Sequence, residues 1–254
     1  MKVVHYGRKE RIFATVVAAL CIVVLLPVTI YLDSITWISF QSLLILAIIT
    51  AVCYRYFFRN PDRAVSDDQT RIPAPADGII TDVELLKHES AQSEQLKELF
   101  QDHDMVRIGI ATGFLNVHIN RSPAEGKIIF REYSRGGYTN SNKKTENLLL
   151  GMMAQIEGLA YPIAVNLASS HIFGFIQCTP DKDDTLKCGE QFGIIRSASR
   201  TELYLPAGLG LEVVANVGMR VAAGYTALAH ISPESRRKIE QSKFNEPTSG
   251  SDTL

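Results

Sequence analysis

Residues 192–206 read FGIIRSASRTELYLP, two apolar runs on either side of a small turn. The runs 192–195 and 202–205 are short and rich in Ile, Leu and aromatic residues, which favours β-strands. Between them, residues 197–199 are small and flexible, which is typical of a turn. The stretch therefore predicts two successive strands and indicates a β-rich fold.

The same pattern extends in both directions from this stretch. Short runs rich in β-branched residues, separated by Gly, Pro, Asn or Asp, lie at 78–83, 106–110, 117–119, 127–130, 163–167, 174–177, 213–214 and 227–229. Helical periodicity is weak, with residues 90–102 and 145–156 as the best candidates. We therefore expect a mostly antiparallel β domain over residues 73–232, with a few helices. The polar residues 59–72 predict a linker, and the charged, Ser/Thr-rich residues 233–254 predict a flexible tail.

Two apolar runs occupy the first 58 residues. Residues 12–32 carry no charge, and as a helix they would extend roughly 30 Å, the thickness of a bilayer core. A second apolar run follows Asp33 and Ser34 and ends in aromatic residues. These features predict a membrane hairpin over residues 1–58, with spans at about 12–32 and 35–56. The predicted fold class is α+β, a mostly antiparallel β domain preceded by a two-helix transmembrane hairpin; a buried helical hairpin in a soluble protein is the alternative.

The charges that flank the two runs predict an orientation. Basic residues precede the first run and follow the second, and the connecting turn has none; they are Lys2, Arg8, Lys9, Arg11, Arg55, Arg59 and Arg63. Because segments rich in Lys and Arg stay on the cytoplasmic side, both ends of the hairpin are expected there. The predicted location is the inner membrane, with the β domain facing the cytoplasm.

The overall composition excludes some classes of partner. With 26 Lys+Arg against 27 Asp+Glu, the chain lacks the strongly basic field that nucleic-acid binding requires, so no nucleic-acid partner is expected. No further Cys or His lies at metal-site spacing from the four cysteines, which are Cys21, Cys53, Cys178 and Cys188. We therefore expect no metal and interpret the cysteines as reduced, structural thiols.

Four segments carry residue types that are suited to chemistry. Asp77 lies in PADG, His118 in NVHINRSP and Ser199 in the turn described above, and residues 217–224 form a Gly-punctuated hairpin pattern. A hydroxyl, an imidazole and a carboxylate are the elements of an activated nucleophile. Each residue also has a structural interpretation: a turn at Asp-Gly, a satisfied histidine in a strand, and an ordinary loop. Sequence order leaves both interpretations open, although the absence of a Gly-x-Ser-x-Gly elbow disfavours a secreted hydrolase.

Taken in order, these segments resemble the phosphatidylserine decarboxylase family, particularly its short bacterial and archaeal branch. The matching pieces are FFRNPDR (57–63), PADG (75–78), NVHINRSPAEG (116–126), FGIIR (192–196) and SRTELYLP (199–206). They cover about residues 55–231 in the family's order. The resemblance implies a carboxy-lyase that acts on phosphatidylserine in membrane lipid and forms phosphatidylethanolamine and CO2. It also suggests a homo-oligomer.

The resemblance further implies roles for individual residues. Family members are made as proenzymes that cleave their own chain before one serine, and Ser199 matches that serine. The Ser199 hydroxyl would attack the carbonyl of Ala198, and Ser199 would become a pyruvoyl group, the only cofactor expected. His118 matches the family's base, and Asp77 matches the carboxylate that orients it.

The chain departs from the family pattern at two positions. Many members have Gly before the processed serine, where this chain has Ala198, and Gly adopts strained positive-φ conformations at lower cost. Three alternatives therefore stay open: an uncleaved relative that binds anionic lipid or a partner protein, cleavage at Ser197, and a decarboxylase of another seryl head group. Arg121 replaces the second histidine of the long branch and is expected to hold a substrate carboxylate or phosphate, or else to form a surface ion pair. Arg200 is a further expected substrate contact.

Overall fold

A computed structural model gives the fold of the chain. It describes residues 34–63, 68, 70–91, 93–135, 146–169, 175–196 and 199–232, together with isolated helical positions between residues 12 and 23. Most of the predicted first span (12–32), the predicted tail (233–254), Ser197 and Ala198 lie outside the described residues.

Strands make up most of the described structure. The helices whose bounds are described are α1 (Ser34–Phe57) and α2 (Glu94–Phe100), with one turn of 3-10 helix at His88–Ser90. The strands are β1 (Arg71–Pro73), β2 (Gly78–Leu86), β3 (Met105–Thr112), β4 (Ile119–Arg121), β5 (Gly126–Arg135), β6 (Glu146–Ile156), β7 (Leu159–Ser169), β8 (Phe175–Cys178), β9 (Thr185–Leu186), β10 (Gln191–Arg196), β11 (Ser199–Pro206), β12 (Leu211–Val213), β13 (Arg220–Val221) and β14 (Ala227–Ile231).

The strands form one large sheet and two small ones. The large sheet is an antiparallel half-barrel with the strand order β13-β2-β3-β11-β7-β6-β5-β9. The small sheets have the orders β4-β10-β8 and β1-β14-β12. Because β10 belongs to a small sheet and β11 to the large one, the chain changes sheets between Arg196 and Ser199.

Both faces of the large sheet are covered. Successive side chains of a strand point to opposite faces, and on β11 Leu203 and Leu205 enter the main core, which also contains Ile110 of β3 and Leu167 of β7. On the opposite face, Tyr204 packs in a second cluster with Leu96, Leu99 and Phe100 of α2. The buried apolar residues therefore hold β11 between two layers, with β3 and β7 on either side.

Helix α1 ends against the β4-β10-β8 sheet. Phe58 follows the last helical residue and is buried with Val117, Ile119 and Ile194, and Phe57 packs against the same cluster. Aromatic burial of this kind stabilises the contact through a large apolar area. The end of α1 is therefore fixed to the sheet that carries the segment around His118.

The predicted fold class, α+β with a two-helix transmembrane hairpin, is corrected by the structure. The described residues are mostly antiparallel β, and no helix among them is both long and apolar enough to cross a bilayer. A membrane span needs about 20 predominantly apolar residues.

One segment that was predicted to be a helix is a strand in the structure. Residues 145–156 were expected to be helical, but β6 (Glu146–Ile156) runs through almost all of them. Its alternate residues Leu148, Leu150 and Met152 enter the main core, and Leu149 and Met153 pack against the α2 cluster on the other face. A strand with two apolar faces lacks the polar alternation that identifies a half-buried strand.

Candidate active site

Ser199 is the first residue of β11 and lies where the chain enters the half-barrel. Its side chain is buried. In the sheet register, Ser199 lies opposite Thr112 of β3 on one side and opposite Ser169 of β7 on the other. Directly opposite residues share a face of an antiparallel sheet, so three hydroxyl side chains form one row at this end of the half-barrel.

His118 lies at the same junction, one residue before β4. Its backbone carbonyl accepts a hydrogen bond from the amide of Ile195, the residue before the end of β10 (3.1 Å). The imidazole is 3% exposed and stacks on the ring of Phe57 at 4.1 Å between centroids. Within the described residues, neither ring nitrogen makes a hydrogen bond. The ring is therefore held by packing, with both nitrogens available.

The surroundings of His118 favour its neutral form. Burial lowers the pKa of His118 below its usual value, and the positive charge of Arg59 acts in the same direction. The backbone of Asn116 and the negative charge of Asp77 raise the pKa, but the Asn116 backbone does not meet hydrogen-bond geometry with the ring. Because burial is the largest cause, the imidazole is neutral near pH 7 and can accept a proton.

Asp77 binds Arg63, which lies in the segment predicted as a linker. Arg63 donates two hydrogen bonds to the carboxylate, Nη1 to Oδ1 (2.6 Å) and Nη2 to Oδ2 (2.7 Å), and both side chains are largely buried. Oδ1 also accepts from the amide of Ala223 (2.8 Å), in the Gly-punctuated hairpin. Among the described residues, Asp77 makes no hydrogen bond to His118. Asp77 acts on His118 through its charge, and it joins residues 59–63 to the hairpin.

Asn120 connects three of the segments that were singled out in the sequence. Its Nδ2 lies 3.3 Å from Oγ1 of Thr201 on β11 and 3.4 Å from the carbonyl oxygen of Pro75. The amide of Arg121 donates to the same Pro75 carbonyl (2.9 Å). Thr112 adds a further link, because its hydroxyl donates to the backbone carbonyl of Asp77 (2.8 Å). The segments around Asp77, His118 and Ser199 therefore meet at one place.

Arg121 is buried and bound mainly to backbone carbonyls. Its guanidinium donates to the carbonyls of Gly189 (3.1 Å) and Pro61 (3.1 Å) and to Oδ1 of Asn60 (3.3 Å). Burial lowers its pKa, and the charge of Arg63 acts in the same direction. In the described structure, Arg121 thus attaches residues 60–61 to the β domain; the predicted substrate contact stays a prediction.

Arg200 projects from the face of β11 opposite to that of Ser199, since the two residues are consecutive in a strand. Nη2 donates to both carboxylate oxygens of Asp82 (2.8 and 2.9 Å), and Nε donates to Oε1 of Glu202 (2.8 Å). These carboxylates and their hydrogen bonds raise the pKa of Arg200, although burial, the largest single influence, lowers it. Arg200 therefore lies on the face of β11 opposite to that of Ser199, and its predicted substrate contact stays a prediction.

The described residues contain no group of three or more His, Cys, Asp or Glu side chains arranged to hold a metal ion. Burial raises the pKa of Cys178 to about 12 and also raises that of Cys188. Both side chains are accordingly protonated thiols near neutral pH.

Comparison with known proteins identifies the family. The family model described as phosphatidylserine decarboxylase matches residues 50–229, from within α1 to within β14. The chain belongs to this family. The phosphatidylserine decarboxylase proenzyme of Rickettsia typhi is 33% identical over 192 residues, which cover 74% of this chain and 78% of the relative. The proenzyme of Rickettsia rickettsii (strain Sheila Smith) is 33% identical over 203 residues, 78% of this chain and 81% of the relative. No solved structure matches the chain.

Membership of the phosphatidylserine decarboxylase family makes the chain a decarboxylase, that is, a carboxy-lyase. The structure brings the segments of Ser199, His118 and Asp77 together and leaves Arg200 on the other face. Sequence reasoning did not assign a site role to Arg63, Phe57 or Ser169. The family match at 57–63 was a signal for the first two, whereas Ser169 is visible only from the strand register.

Proposed function

We propose that the chain is a self-processing, pyruvoyl-dependent phosphatidylserine decarboxylase that forms phosphatidylethanolamine and CO2. One observation carries this proposal. A buried serine begins β11, and the segment that carries a buried, neutral histidine meets β11 through the hydrogen bond from Asn120 to Thr201; the ring nitrogens of that histidine have no partner among the described residues. The names of the relatives, which are phosphatidylserine decarboxylase proenzymes, support both the substrate and the processing.

In the proposed self-cleavage, Ser199, His118 and Ala198 react in successive steps. His118 takes the proton of Ser199 as Oγ bonds to the carbonyl carbon of Ala198. The peptide C–N bond then breaks, and the amine of residue 199 takes the proton, which leaves an ester. A base then takes the Cα proton, the Cβ–Oγ bond breaks, and the Ala198 carboxylate leaves a dehydroalanine at residue 199. The methylene carbon takes a proton back, which gives an imine. Water adds to the imine, ammonia leaves, and residue 199 ends as a pyruvoyl group.

The residues of the site fit such a group. Residue 199 is buried and held on both sides by β3 and β7, so a new chain end there stays in a strand between two neighbours. A pyruvoyl group supplies a carbonyl that withdraws electrons from the substrate Cα when CO2 leaves. The neutral imidazole of His118 holds and returns the proton that the product Cα needs.

We further propose that the loop before His118 contacts the lipid surface. Phe114 and Leu115 are 68% and 65% exposed, and Phe57 lies between the Phe114 ring (5.1 Å) and the His118 ring (4.1 Å). Arg59 holds the loop through a hydrogen bond to the carbonyl of Leu115 (2.6 Å). Exposed apolar side chains next to the site suit an enzyme whose substrate has acyl chains in a bilayer. The cytoplasmic side of the inner membrane and a homo-oligomer stay predictions.

The direct test is a decarboxylation assay. Wild-type protein should release CO2 and phosphatidylethanolamine from phosphatidylserine vesicles, and His118→Ala should abolish both. The matched control His230→Ala changes a half-exposed histidine that pairs with Glu212 (3.3 Å), and it should leave the activity intact. Activity on soluble glycerophosphoserine but not on phosphatidylserine would favour a different seryl substrate. No activity with an uncleaved wild-type chain would favour a binding protein.

A further inference from the structure

Ser169, the last residue of β7, has a buried hydroxyl that takes no part in the steps of self-cleavage given above. The residue is 1% exposed, and Oγ has no hydrogen-bond partner in the part of the chain that the structure describes. A buried hydroxyl without a partner is unfavourable, because it has lost its water without gaining a replacement. Its presence at this position therefore requires a reason.

The strand register places Ser169 beside the reacting residue. Ser169 lies directly opposite Ser199 on the adjacent antiparallel strand, and Glu146 of β6 lies on its other side. Directly opposite residues share a face and hold their Cβ atoms about 4.5–5.5 Å apart. Two serine side chains at that separation bring their hydroxyls within hydrogen-bond reach after a rotation about χ1.

The neighbour on the other strand differs in one respect. Thr112 also lies opposite Ser199, but its hydroxyl donates its proton to the carbonyl of Asp77 (2.8 Å). A hydroxyl carries a single proton to donate. Of the two hydroxyls that flank Ser199, that of Ser169 is therefore the one whose proton no described residue accepts.

We propose that Ser169 donates a hydrogen bond to Oγ of Ser199 during self-cleavage; this role rests on the proposed function. As His118 takes the proton of Ser199, Oγ carries transient negative charge, which passes to the carbonyl oxygen of Ala198 once the new C–O bond forms. A donor aimed at Oγ stabilises the charge there and fixes the rotamer from which Oγ attacks. Ser169 keeps its own proton throughout, so it changes only the rate of the step.

The test compares two buried serines. Ser169→Ala should slow the appearance of the two fragments by about ten-fold or more, since one lost donor to a charged group has an effect of this order. Ser169→Thr keeps the hydroxyl and should restore much of the rate. The control Ser122→Ala removes a buried hydroxyl that already donates to the carbonyl of Ala124 (2.7 Å), and it should cleave at the wild-type rate. A time course of freshly synthesised chains on denaturing gels measures all four rates.

Thermal unfolding supplies the second readout, in a Ser199→Ala background so that every chain is uncleaved. Ser169→Ala should leave Tm unchanged or raise it, whereas Ser122→Ala should lower Tm. Two results would overturn the role of Ser169 alone: cleavage of Ser169→Ala at the wild-type rate, or a fall in its Tm like that of Ser122→Ala. A wild-type chain that never cleaves would instead overturn the proposed function, and this role with it.

Discussion

The position of its ring favours the neutral form of His118, which its proposed role as a base requires. The imidazole is buried against Phe57, and burial moves its pKa below the usual 6.5. In the unfolded chain the ring has its ordinary pKa, so between the two values the unfolded state binds more protons than the folded state. The contribution of His118 to the free energy of unfolding is therefore fully present above about pH 6.5, and it is lost as the pH falls toward the folded pKa.

This linkage gives a test on the uncleaved Ser199→Ala protein. The free energy of unfolding should fall as the pH drops below about 6.5, and part of that fall should disappear in His118→Phe, which cannot titrate. Denaturant unfolding at a series of pH values measures both proteins. An unchanged slope in His118→Phe would show that the pKa of His118 is not lowered.

At the residue scale, the sequence predicted which residues lie in the candidate site better than it predicted which groups their side chains bind. Ser199, His118 and Asp77 came from family motifs, and their segments do meet. The carboxylate of Asp77, however, binds Arg63 rather than the imidazole, because residues 58–63 pack back onto the β domain. The alternation of β11 did contain a signal for Arg200, since residues 199 and 200 must point to opposite faces. Ser169 had no such signal, because strand register is a property of the fold.

At the scale of elements, Gly78 shows how closely β2 and β3 approach. Asp-Gly was interpreted as a turn at the start of a strand, and Gly78 is indeed the first residue of β2. A Cβ at this position would lie 2.2 Å from the carbonyl oxygen of Ala111, a backbone atom of β3. Because backbone cannot move aside as a flexible side chain can, a larger residue must separate the two strands.

We therefore predict that Gly78→Ala lowers the free energy of unfolding by about 2 kcal/mol, as overpacking of a core does. The matched control is Gly113→Ala, whose Cβ would meet its nearest atom, Oδ1 of Asn116, at 3.7 Å. Gly113→Ala should be close to neutral. Denaturant unfolding in the Ser199→Ala background measures both variants. Equal stability of the two would mean that β2 and β3 do not approach as described.

The sequence predicted strands where polar turns and β-branched runs alternate, and it failed where both faces of an element are apolar. β6 is the example, because its two sides pack against the main core and against α2. The apolar composition of α1 also did not reveal that its end, at Phe57 and Phe58, packs against the β4-β10-β8 sheet.

At the scale of the whole molecule, the site lies where two sheets meet and where an exposed apolar loop begins. β10 brings the chain from the small sheet to Ser199 of the half-barrel, and His118 lies beside the end of β10. Phe57 contacts both His118 and Phe114, so the end of α1 packs between the exposed loop and the imidazole of His118. This arrangement suits a head group that enters the site while its acyl chains stay in lipid.

A double substitution tests the proposed lipid contact. Phe114→Ser with Leu115→Ser should lower decarboxylation of phosphatidylserine in vesicles by about ten-fold or more, because two apolar side chains no longer enter the lipid surface. The same variant should keep its activity on monomeric short-chain phosphatidylserine. Val217→Ser, at a residue that is 65% exposed in another turn, is the control and should behave as wild type. Equal losses on vesicles and on monomers would contradict a lipid-surface role.

The most direct measurement is denaturing gel electrophoresis with intact mass on the purified protein. Cleavage before Ser199 divides the 28.1 kDa chain into residues 1–198 and 199–254. Scaled by length, the fragments should be about 22 and about 6 kDa, and the smaller should lack a free amino terminus because it begins with a pyruvoyl group. Ser199→Ala should remain a single chain. A wild-type protein that is found only as the intact chain, with an unmodified serine at position 199, would contradict self-processing.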